Sequence, residues 1–299
     1  MKPTILITGA NGAVAQKFKS QYGEQFEIRF LTRSPKSKEE YKWDVATRYI
    51  DEKAFVDVHH VIHLAGANIA GSRWTASRKI ELRESRIVTG KMITHALEKG
   101  NIVLKSYITA SAVGYYGSDT SEQIFKESDA PSDDFVGSLC KEWEDVADQI
   151  VQKGLADRSC KLRFGIVLDN ESGLLERVSP IVKIGLGSAL GSGKQYIPWI
   201  HISDLSTMLY KTLTSSMSGA YNATAPEHVT NDQLMRAIAG VLNRPYFLPK
   251  VPSFILKLVF GEMSEVVLHG SRVSADKILK ENFHFEYPTV NSALKELLT

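Results

Sequence analysis

The 299-residue chain is predicted to be an α/β protein with a doubly wound parallel sheet. Short β-branched runs alternate with longer amphipathic runs through its first two-thirds, a pattern typical of βαβ units. A glycine-containing turn from Gly9 to Gly12 follows the first β-branched run and precedes a helical pattern. A strand, a glycine turn and a helix in this order are typical of a site that binds phosphate groups.

The predicted strands are rich in β-branched and aromatic residues. They are TILIT (4–8), EIRFLT (27–32), KWDV (42–45), HVIHLA (60–65), KSYITAS (105–111), KLRFGIVL (161–168) and a returning GAYNATA (219–225). Amphipathic runs predict helices at 77–100, 134–154 and 230–243. The first two runs end on Gly100 and Gly154, and glycine commonly ends a helix.

The change of pattern near residue 170 predicts two parts. Residues 1–170 are expected to form a Rossmann-type domain, which the returning strand near 219–225 completes. Residues 171–299 begin with helical and loop segments, among them GLGSALGSG (185–193). We expect them to form mainly a smaller lobe over the carboxyl ends of the strands, with this loop as a mobile cover of a substrate cleft.

Composition excludes several kinds of partner. The net charge is only +2, so the chain lacks the basic surface of a protein that binds nucleic acid or acidic membranes. No apolar run is long enough to span a bilayer. His60 and His63 would point to opposite faces of a strand, which argues against a shared metal ion. The first strand begins too early for a signal peptide, so we expect a cytoplasmic protein.

The glycine turn predicts a dinucleotide site. Gly9 permits the tight turn, Gly12 allows backbone to approach a pyrophosphate, and the helix N-terminus supplies free N–H groups. Ala15 replaces the third glycine of the usual pattern, at a position that governs only helix–strand packing. The residues predicted to contact the cofactor here are Gly9, Asn11, Gly12, Ala13 and Val14.

The end of the second strand indicates which dinucleotide binds. NAD-binding proteins place an acidic residue there, whereas this chain has Arg33 and Ser34, which can bind the 2′-phosphate of NADP. The alternative is an ordinary solvated basic loop. Further along, Asp44 is expected to accept a hydrogen bond from the adenine amino group. Small residues after the fourth strand are expected to pack against NADP or simply to pack tightly: Leu64, Ala65 and Gly66.

Several motifs resemble those of the extended short-chain dehydrogenase/reductases. They are TGANGAVA, WDV, VIHLAGANI, SAVGYYG and LRFGIVLD. Two further segments, AGANIAGSRWTASRKIELRESRI and a C-terminal block at about 248–296, are similar to an atypical branch of that superfamily. This branch is the NAD-dependent epimerase/dehydratase-like family with a C-terminal domain of unknown function. The resemblance covers essentially the whole chain and implies the fold and the cofactor, but no substrate.

The resemblance also implies a catalytic apparatus, which this chain lacks. In the superfamily a tyrosine acts as general acid or base, and a lysine four residues later lowers its pKa and holds the nicotinamide ribose. The motif YYG (115–117) and the later glycine and glutamate of VGSLCKEWE set the register. On that register Val136 takes the tyrosine position, Cys140 the lysine position and Ala112 the position of the usual serine.

Other residues are therefore considered for the chemistry. Ser111, Tyr115 and Tyr116 lie just past the fifth strand and are expected to orient a substrate or donate a proton, or else to pack between the lobes. His201 is a candidate proton carrier near neutral pH, and Asp204 is expected to cap the following helix.

Three more side chains have two readings each. Cys140 is a nucleophile or, more commonly for a thiol on a helix, a small buried apolar group. Lys141 should face solvent, because it is rotated by about 100° from Cys140 around the helix, unless the register slips by one residue. Arg86 binds an anionic substrate or forms a salt bridge with a neighbouring acid.

The sequence thus predicts an NADP-binding oxidoreductase or epimerase that acts on a small molecule. The substrate is expected between the loop 185–193, the C-terminal lobe and Tyr115–Tyr116. The alternative is a non-catalytic NADP sensor or scaffold whose lobe closure is read by a partner. We expect a monomer or a weak homodimer.

Overall fold

The computed structural model describes residues 2–118 and 120–299, and an eight-stranded sheet forms the centre of this part. The strands of the sheet are β1 (Thr4–Thr8), β2 (Glu27–Thr32), β3 (Glu40–Asp44), β4 (Tyr49–Ile50), β5 (His60–His63), β6 (Ser106–Ala112), β8 (Ser159–Phe164) and β11 (Gly219–Ala223). Two short strand pairs lie outside it: β7 (Ile124–Phe125) with β12 (Arg272–Val273), and β9 (Ile166–Leu168) with β10 (Trp199–His201).

The order of strands across the sheet is β11-β8-β6-β5-β1-β2-β3-β4. Neighbouring strands are parallel except for β3 and β4. The chain runs outward from β1 in one direction and from β5 in the other, so the order reverses between these two strands. The predicted doubly wound parallel sheet is therefore confirmed. Folds of this class bind ligands at such a reversal, beyond the carboxyl ends of the strands.

Helices cover both faces of the sheet. They are α1 (Ala13–Tyr22), α2 (Ala76–Gly100), α3 (Phe135–Gln152), α4 (Gly173–Lys183), α5 (Ile202–Thr214), α6 (Asn231–Val241), α7 (Ser253–Phe260), α8 (Ser264–Leu268), α9 (Asp276–Lys280) and α10 (Val290–Leu298). A short 3-10 turn at Val113–Tyr116 follows β6.

Strand β1 shows why the sheet needs two helical layers. All five of its residues are buried, and successive side chains point to opposite faces. Ile5 and Ile7 pack in a core with α1, α5 and α9, in which Ile278 and Phe283 also lie. Leu6 packs in a second core on the other face with α2 and α3. A strand buried on both faces reads as a continuous apolar run, as TILIT does.

Residues 171–299 contribute to two separate hydrophobic cores. A separate apolar cluster joins α4, α6 and α10 around Trp199, which is fully buried, and this cluster is the core of the smaller lobe. By contrast, α5, β11 and the segment from Ala275 to Phe283 pack with the main sheet. The main body thus uses residues well beyond 170, while the boundary between 1–170 and 171–299 stays a prediction.

One boundary differs from the sequence-based expectation, and two helix ends agree with it. The run KLRFGIVL is divided at Gly165, because this residue lies against a neighbouring chain segment: a Cβ there would be 2.7 Å from the Pro198 carbonyl oxygen. Helix α2 ends on Gly100, as predicted, and the next residue, Asn101, takes the left-handed C-cap conformation (φ 48°), with its N–H donating to Glu98 O. Helix α3 likewise ends before Gly154 (φ 71°), as predicted.

Candidate functional site

The glycine turn lies at the point where the strand order reverses. Gly9 has φ 78°, a conformation that favours glycine, and a Cβ there would be 3.3 Å from Ala65 N and from Leu64 O. The Gly12 N–H donates to Gly9 O at 2.8 Å and closes the turn. The segment after β1 and the segment after β5 are thus in direct backbone contact.

Helix α1 begins at this turn without a side-chain cap. Gly12 is its N-cap residue, so the first-turn N–H groups have neither a helical acceptor nor a side-chain acceptor. The turn is also open, because Asn11 and Gly12 are exposed, and Ala13 and Val14 are partly exposed. Free N–H groups and the helix dipole together suit a phosphate or pyrophosphate group.

A threonine and a histidine fix the contact between the two segments. The N–H groups of Leu64 and Ala65 both donate to Thr8 Oγ1, at 3.0 and 2.9 Å. The hydroxyl oxygen therefore accepts two bonds, and its own proton is directed at His63 Nδ1, 2.9 Å away. Burial lowers the pKa of His63 to about 4, so the ring is neutral and its Nδ1 accepts the hydrogen bond from this hydroxyl. Sequence reasoning did not assign a role to either residue.

The remaining predicted cofactor residues follow β2, β3 and β5 at the same edge of the sheet. Arg33 and Ser34 are exposed, as is Gly66. Within residues 2–118 and 120–299 the Arg33 guanidinium has no hydrogen-bond or ion-pair partner. Asp44 is partly buried, and its Oδ1 accepts the N–H of Ala46 at 2.9 Å. The structure gathers these residues at one sheet edge, and their contacts to a dinucleotide stay a prediction.

A buried ion pair lies where β6, α3 and β8 meet. Arg163 Nε and Nη2 donate to the two carboxylate oxygens of Glu144, at 2.8 and 2.9 Å. The two side chains are only 3% and 6% exposed. Ser111 Oγ donates to the same carboxylate at 2.7 Å. The Ser111 hydroxyl is therefore committed to an internal acceptor.

The same guanidinium holds both tyrosines of the 3-10 turn. Arg163 Nη1 donates to the Tyr116 hydroxyl at 2.9 Å, and this hydroxyl donates onward to Asn222 Oδ1 at 2.7 Å. Burial raises the pKa of Tyr116 to about 12. The ring of Tyr115 lies against the Arg163 guanidinium, with 3.4 Å between the ring centroid and Cζ. Of the three predicted hydroxyl groups, Ser111 and Tyr116 therefore belong to a structural network.

The residues at the predicted tyrosine and lysine positions, Val136 and Cys140, offer no reactive ionised side chain. Val136 packs with the 3-10 turn and is partly exposed, whereas Cys140 is buried beside Tyr115 and Tyr116. Burial raises the pKa of the Cys140 thiol to about 12, so the nucleophile interpretation is not supported. Lys141 is exposed and pairs with Asp145, as its expected solvent-facing direction requires.

His201 and Asp204 have structural roles that differ from the predicted ones. His201 is fully buried; its Nδ1 accepts the N–H of Ser203 at 3.1 Å, and its Nε2 donates to Glu296 at 2.9 Å. His201 therefore caps α5 and is not accessible to a ligand. Asp204 does not cap this helix, because its carboxylate accepts a backbone N–H of the C-terminal segment, that of Glu286, at 2.8 Å.

The glycine- and serine-rich loop 185–193 is anchored to the C-terminal lobe. The Gly191 N–H donates to Val251 O at 2.8 Å, and Ser188 Oγ donates to Pro249 O at 2.6 Å. The loop is therefore hydrogen-bonded to the lobe, and its role as a mobile cover stays a prediction.

Two absences hold for the part of the chain that is described. No group of three or more histidine, cysteine or acidic side chains could hold a metal ion there. None of its helices is both long and apolar enough to cross a membrane. A surface depression of about 1130 Å³ lies at the opposite edge of the sheet, around Pro3, Glu27 and Lys105, away from the site described above.

Sequence comparison gives a family match in two parts. Residues 5–138 match the model of the NAD dependent epimerase/dehydratase family, and residues 251–297 match a domain of unknown function (DUF1731). An epimerase family protein of Mycobacterium leprae is 32% identical over 100% of this chain and 96% of its own length. A chloroplastic epimerase family protein of Arabidopsis thaliana is 34% identical over 99% of this chain and 86% of its own length.

Structural comparison agrees with this match. The crystal structure of a human epimerase family protein with NADPH superimposes with a TM-score of 0.87 at 26% identity, covering 98% of each chain. A UDP-glucose 4-epimerase of Thermus thermophilus in complex with NAD gives a TM-score of 0.78 over 98% of this chain and 97% of its own. Its identity is 16%, so this second likeness supports the fold alone.

Proposed function

This chain belongs to the NAD dependent epimerase/dehydratase family, and from that premise we propose that it is an NADPH-binding oxidoreductase or epimerase. It would be an atypical extended short-chain dehydrogenase/reductase that acts on a small substrate. The NADPH bound by the similar human protein supports this choice of cofactor.

The geometry of the Gly9–Gly12 turn is the observation that carries the proposal. The uncapped N-terminus of α1 offers N–H groups for a pyrophosphate. The segment after β5 contacts this turn, and its residue Gly66 is exposed. The free guanidinium of Arg33, at the end of β2, suits a 2′-phosphate. These residues would hold the dinucleotide, which supplies hydride transfer when it is bound.

Proton transfer would have to proceed without the usual tyrosine and lysine. The hydroxyl groups of Ser111 and Tyr116 already donate hydrogen bonds within the Glu144–Arg163 network, to Glu144 and Asn222. We therefore assign the proton-donor role to Tyr115, on the turn beside the predicted tyrosine position at Val136. Burial raises the pKa of Tyr115, with Arg163 acting in the opposite direction, so the hydroxyl holds its proton more tightly than a free tyrosine does.

One observation favours a second function, that of a non-catalytic NADPH sensor. The corner formed by β6, α3 and β8 is filled by an ion pair that satisfies its own polar groups. A filled corner suits a protein that holds its cofactor and reports this through lobe contacts. The two functions differ in one measurable way: an enzyme consumes bound NADPH when substrate is present, and a sensor does not.

The first test is a fluorescence titration of the purified protein with NADPH and with NADH, repeated with Arg33→Ala. We expect NADPH to bind more tightly, and Arg33→Ala to weaken NADPH by about tenfold or more while leaving NADH unchanged, since the lost contact is to the 2′-phosphate. Lys36→Ala, three residues later on the same exposed loop, is the matched control. Equal affinity for the two cofactors would contradict the NADP assignment, and no binding of either would contradict both functions.

The outward faces of α2 and α3 bear on assembly. They carry charged pairs, Arg83 with Glu142 and Lys141 with Asp145. Charged faces are poorly suited to a stable helical dimer contact. We propose a monomer or weak homodimer that works in the cytoplasm, which size-exclusion chromatography with light scattering would test for the oligomeric state.

A further inference from the structure

Arg86 reaches from α2 to the backbone segment that follows β5. Its Nη2 donates to Ala67 O at 3.0 Å, and its Nη1 donates to Leu82 O at 2.9 Å. Its guanidinium also lies over the ring of Trp143 on α3, with 5.0 Å between Cζ and the ring centroid. The charged group thus lies between α2, α3 and the strand-end segment, and Arg86 as a whole stays partly exposed.

This guanidinium has no counter-ion in the described part of the chain. Its hydrogen bonds go to backbone carbonyls and to the Ser85 hydroxyl, all of them neutral. Arg83, one turn earlier on the same helix, is exposed and pairs with Glu142 at 2.6 Å. Burial lowers the pKa of Arg86, because removal from water disfavours the charged guanidinium. A cation that is largely removed from water and has no acid beside it is unfavourable unless something else compensates its charge.

The missing Cβ of Gly66 leaves this charge just beneath the ligand-facing surface. A Cβ at Gly66 would lie 3.1 Å from Arg86 Cζ and 3.2 Å from Nη2. Gly66 is itself exposed. The segment it belongs to touches the turn at Gly9, so the cation underlies the wall that faces the glycine turn.

Two features of α3 define the surroundings further. Cys140 and Trp143 are three residues apart on this helix and therefore lie on neighbouring turns of one face. Trp143 contacts the Arg86 guanidinium. The positive charge, carried on α2, therefore lies near the part of α3 that contains Cys140. Cys140 is the position at which the predicted register expects a cation and has none.

We propose that Arg86 is a cofactor-positioning residue: its guanidinium holds the 65–67 segment in place, and the anionic dinucleotide is its counter-ion. The proposal rests on the proposed NADPH binding. It adds that the free protein carries an uncompensated cation which becomes compensated on binding. Removal of the charge should therefore affect the free protein and its complex in opposite directions.

The test compares Arg86→Gln and Arg86→Lys with wild type, and uses Arg83→Gln as the matched control. Two quantities are measured: the NADPH dissociation constant at low and high salt, and the urea midpoint of the cofactor-free protein. We expect Arg86→Gln to raise the dissociation constant tenfold or more and to flatten its salt dependence, since one charge contact is lost. The urea midpoint of this variant should stay the same or rise.

The other variants separate charge from shape. Arg86→Lys should keep the salt dependence of wild type and lose part of the affinity, because a lysine cannot reproduce the planar fork. Arg83→Gln should change neither quantity. The inference is overturned if wild type binds NADPH and Arg86→Gln binds it within twofold of wild type. It is also overturned if Arg86→Gln fails to fold or lowers the urea midpoint, because Arg86 is then a structural support. Wild type that does not bind NADPH at all overturns the proposed function, and this inference with it.

Discussion

The glycine turn and the corner of β6, α3 and β8 differ in whether their polar groups have partners within the protein. At the glycine turn, the first-turn N–H groups of α1 have no protein acceptor, and the Arg33 side chain is free within the described residues. At the corner of β6, α3 and β8, the hydroxyls of Ser111 and Tyr116 are satisfied by Glu144 and Arg163 or by groups beside them. The glycine turn therefore has unpaired groups that a ligand can bind, whereas the corner is closed: its polar groups are paired within the protein.

This difference separates two properties that occur together in most dehydrogenases. Binding of a dinucleotide needs backbone geometry, which depends on a few glycines and a strand order. Proton transfer needs an accessible titratable group at one atom. The Gly9–Gly12 turn has the geometry for the first property, and for the second we propose Tyr115, which is itself largely buried. A protein can thus retain the binding geometry of its family while the side chains at the reacting end take a structural role.

The closed corner should be the more sensitive to a single substitution. Arg163→Met leaves the buried Glu144 carboxylate without its partner, and we expect a loss of about 3–5 kcal/mol in the free energy of unfolding. Urea denaturation checks this. Arg83→Met removes an exposed pair with Glu142 and should cost less than about 1 kcal/mol. A loss of that small size for Arg163→Met would show that the corner is not closed as described.

Acid should destabilise the binding end through His63. Its pKa is about 4 in the folded chain and 6.5 as a free side chain, so the unfolded chain binds more protons between these values. The stability that the neutral ring contributes is complete above about pH 6.5 and is lost as the pH falls towards 4. The loss amounts to about 3 kcal/mol for this residue. His63→Asn should flatten the profile of unfolding free energy against pH in this window, whereas the exposed His95→Asn should not; an unchanged His63→Asn profile would contradict the assignment.

The smallest effect tests the glycine turn itself. Gly9→Ala places a Cβ in the left-handed conformation, which costs about 1–2 kcal/mol. It also places that Cβ 3.3 Å from Ala65 N, so the two walls must separate and the NADPH dissociation constant should rise by about tenfold. Gly154→Ala has the same backbone conformation (φ 71°) with open space around it. It should cost similar stability and leave NADPH affinity unchanged; a parallel change in both variants would mean that the turn does not contact the cofactor.

Local signals were sufficient for the binding end. Strand and helix periodicity located β1 and α1, and glycine at positions 9 and 12 indicated the turn between them, because these features depend on near neighbours in the chain. The break at Gly165 was missed because its cause is the Pro198 carbonyl, more than thirty residues away.

The closed corner depended on tertiary pairing and was only partly predictable. Glu144 was recognised as a family position, yet its partners Arg163 and Ser111 lie on two other elements. One signal was available: an arginine within the apolar run KLRFGIVL must find an acid if it is buried. His201 was misassigned because its typical role as a proton carrier says nothing about burial, which here is complete.

The packing of the last residues has a consequence for synthesis. Ile278 and Phe283 complete the same core that Ile5 and Ile7 begin, almost the whole length of the chain earlier. A ribosome must therefore release nearly all of the chain before this face of the sheet can close. Until then this core, which α1 and α5 cover only in part, stays incomplete, and the nascent protein exposes apolar surface for longer than a chain whose domains fold one after another.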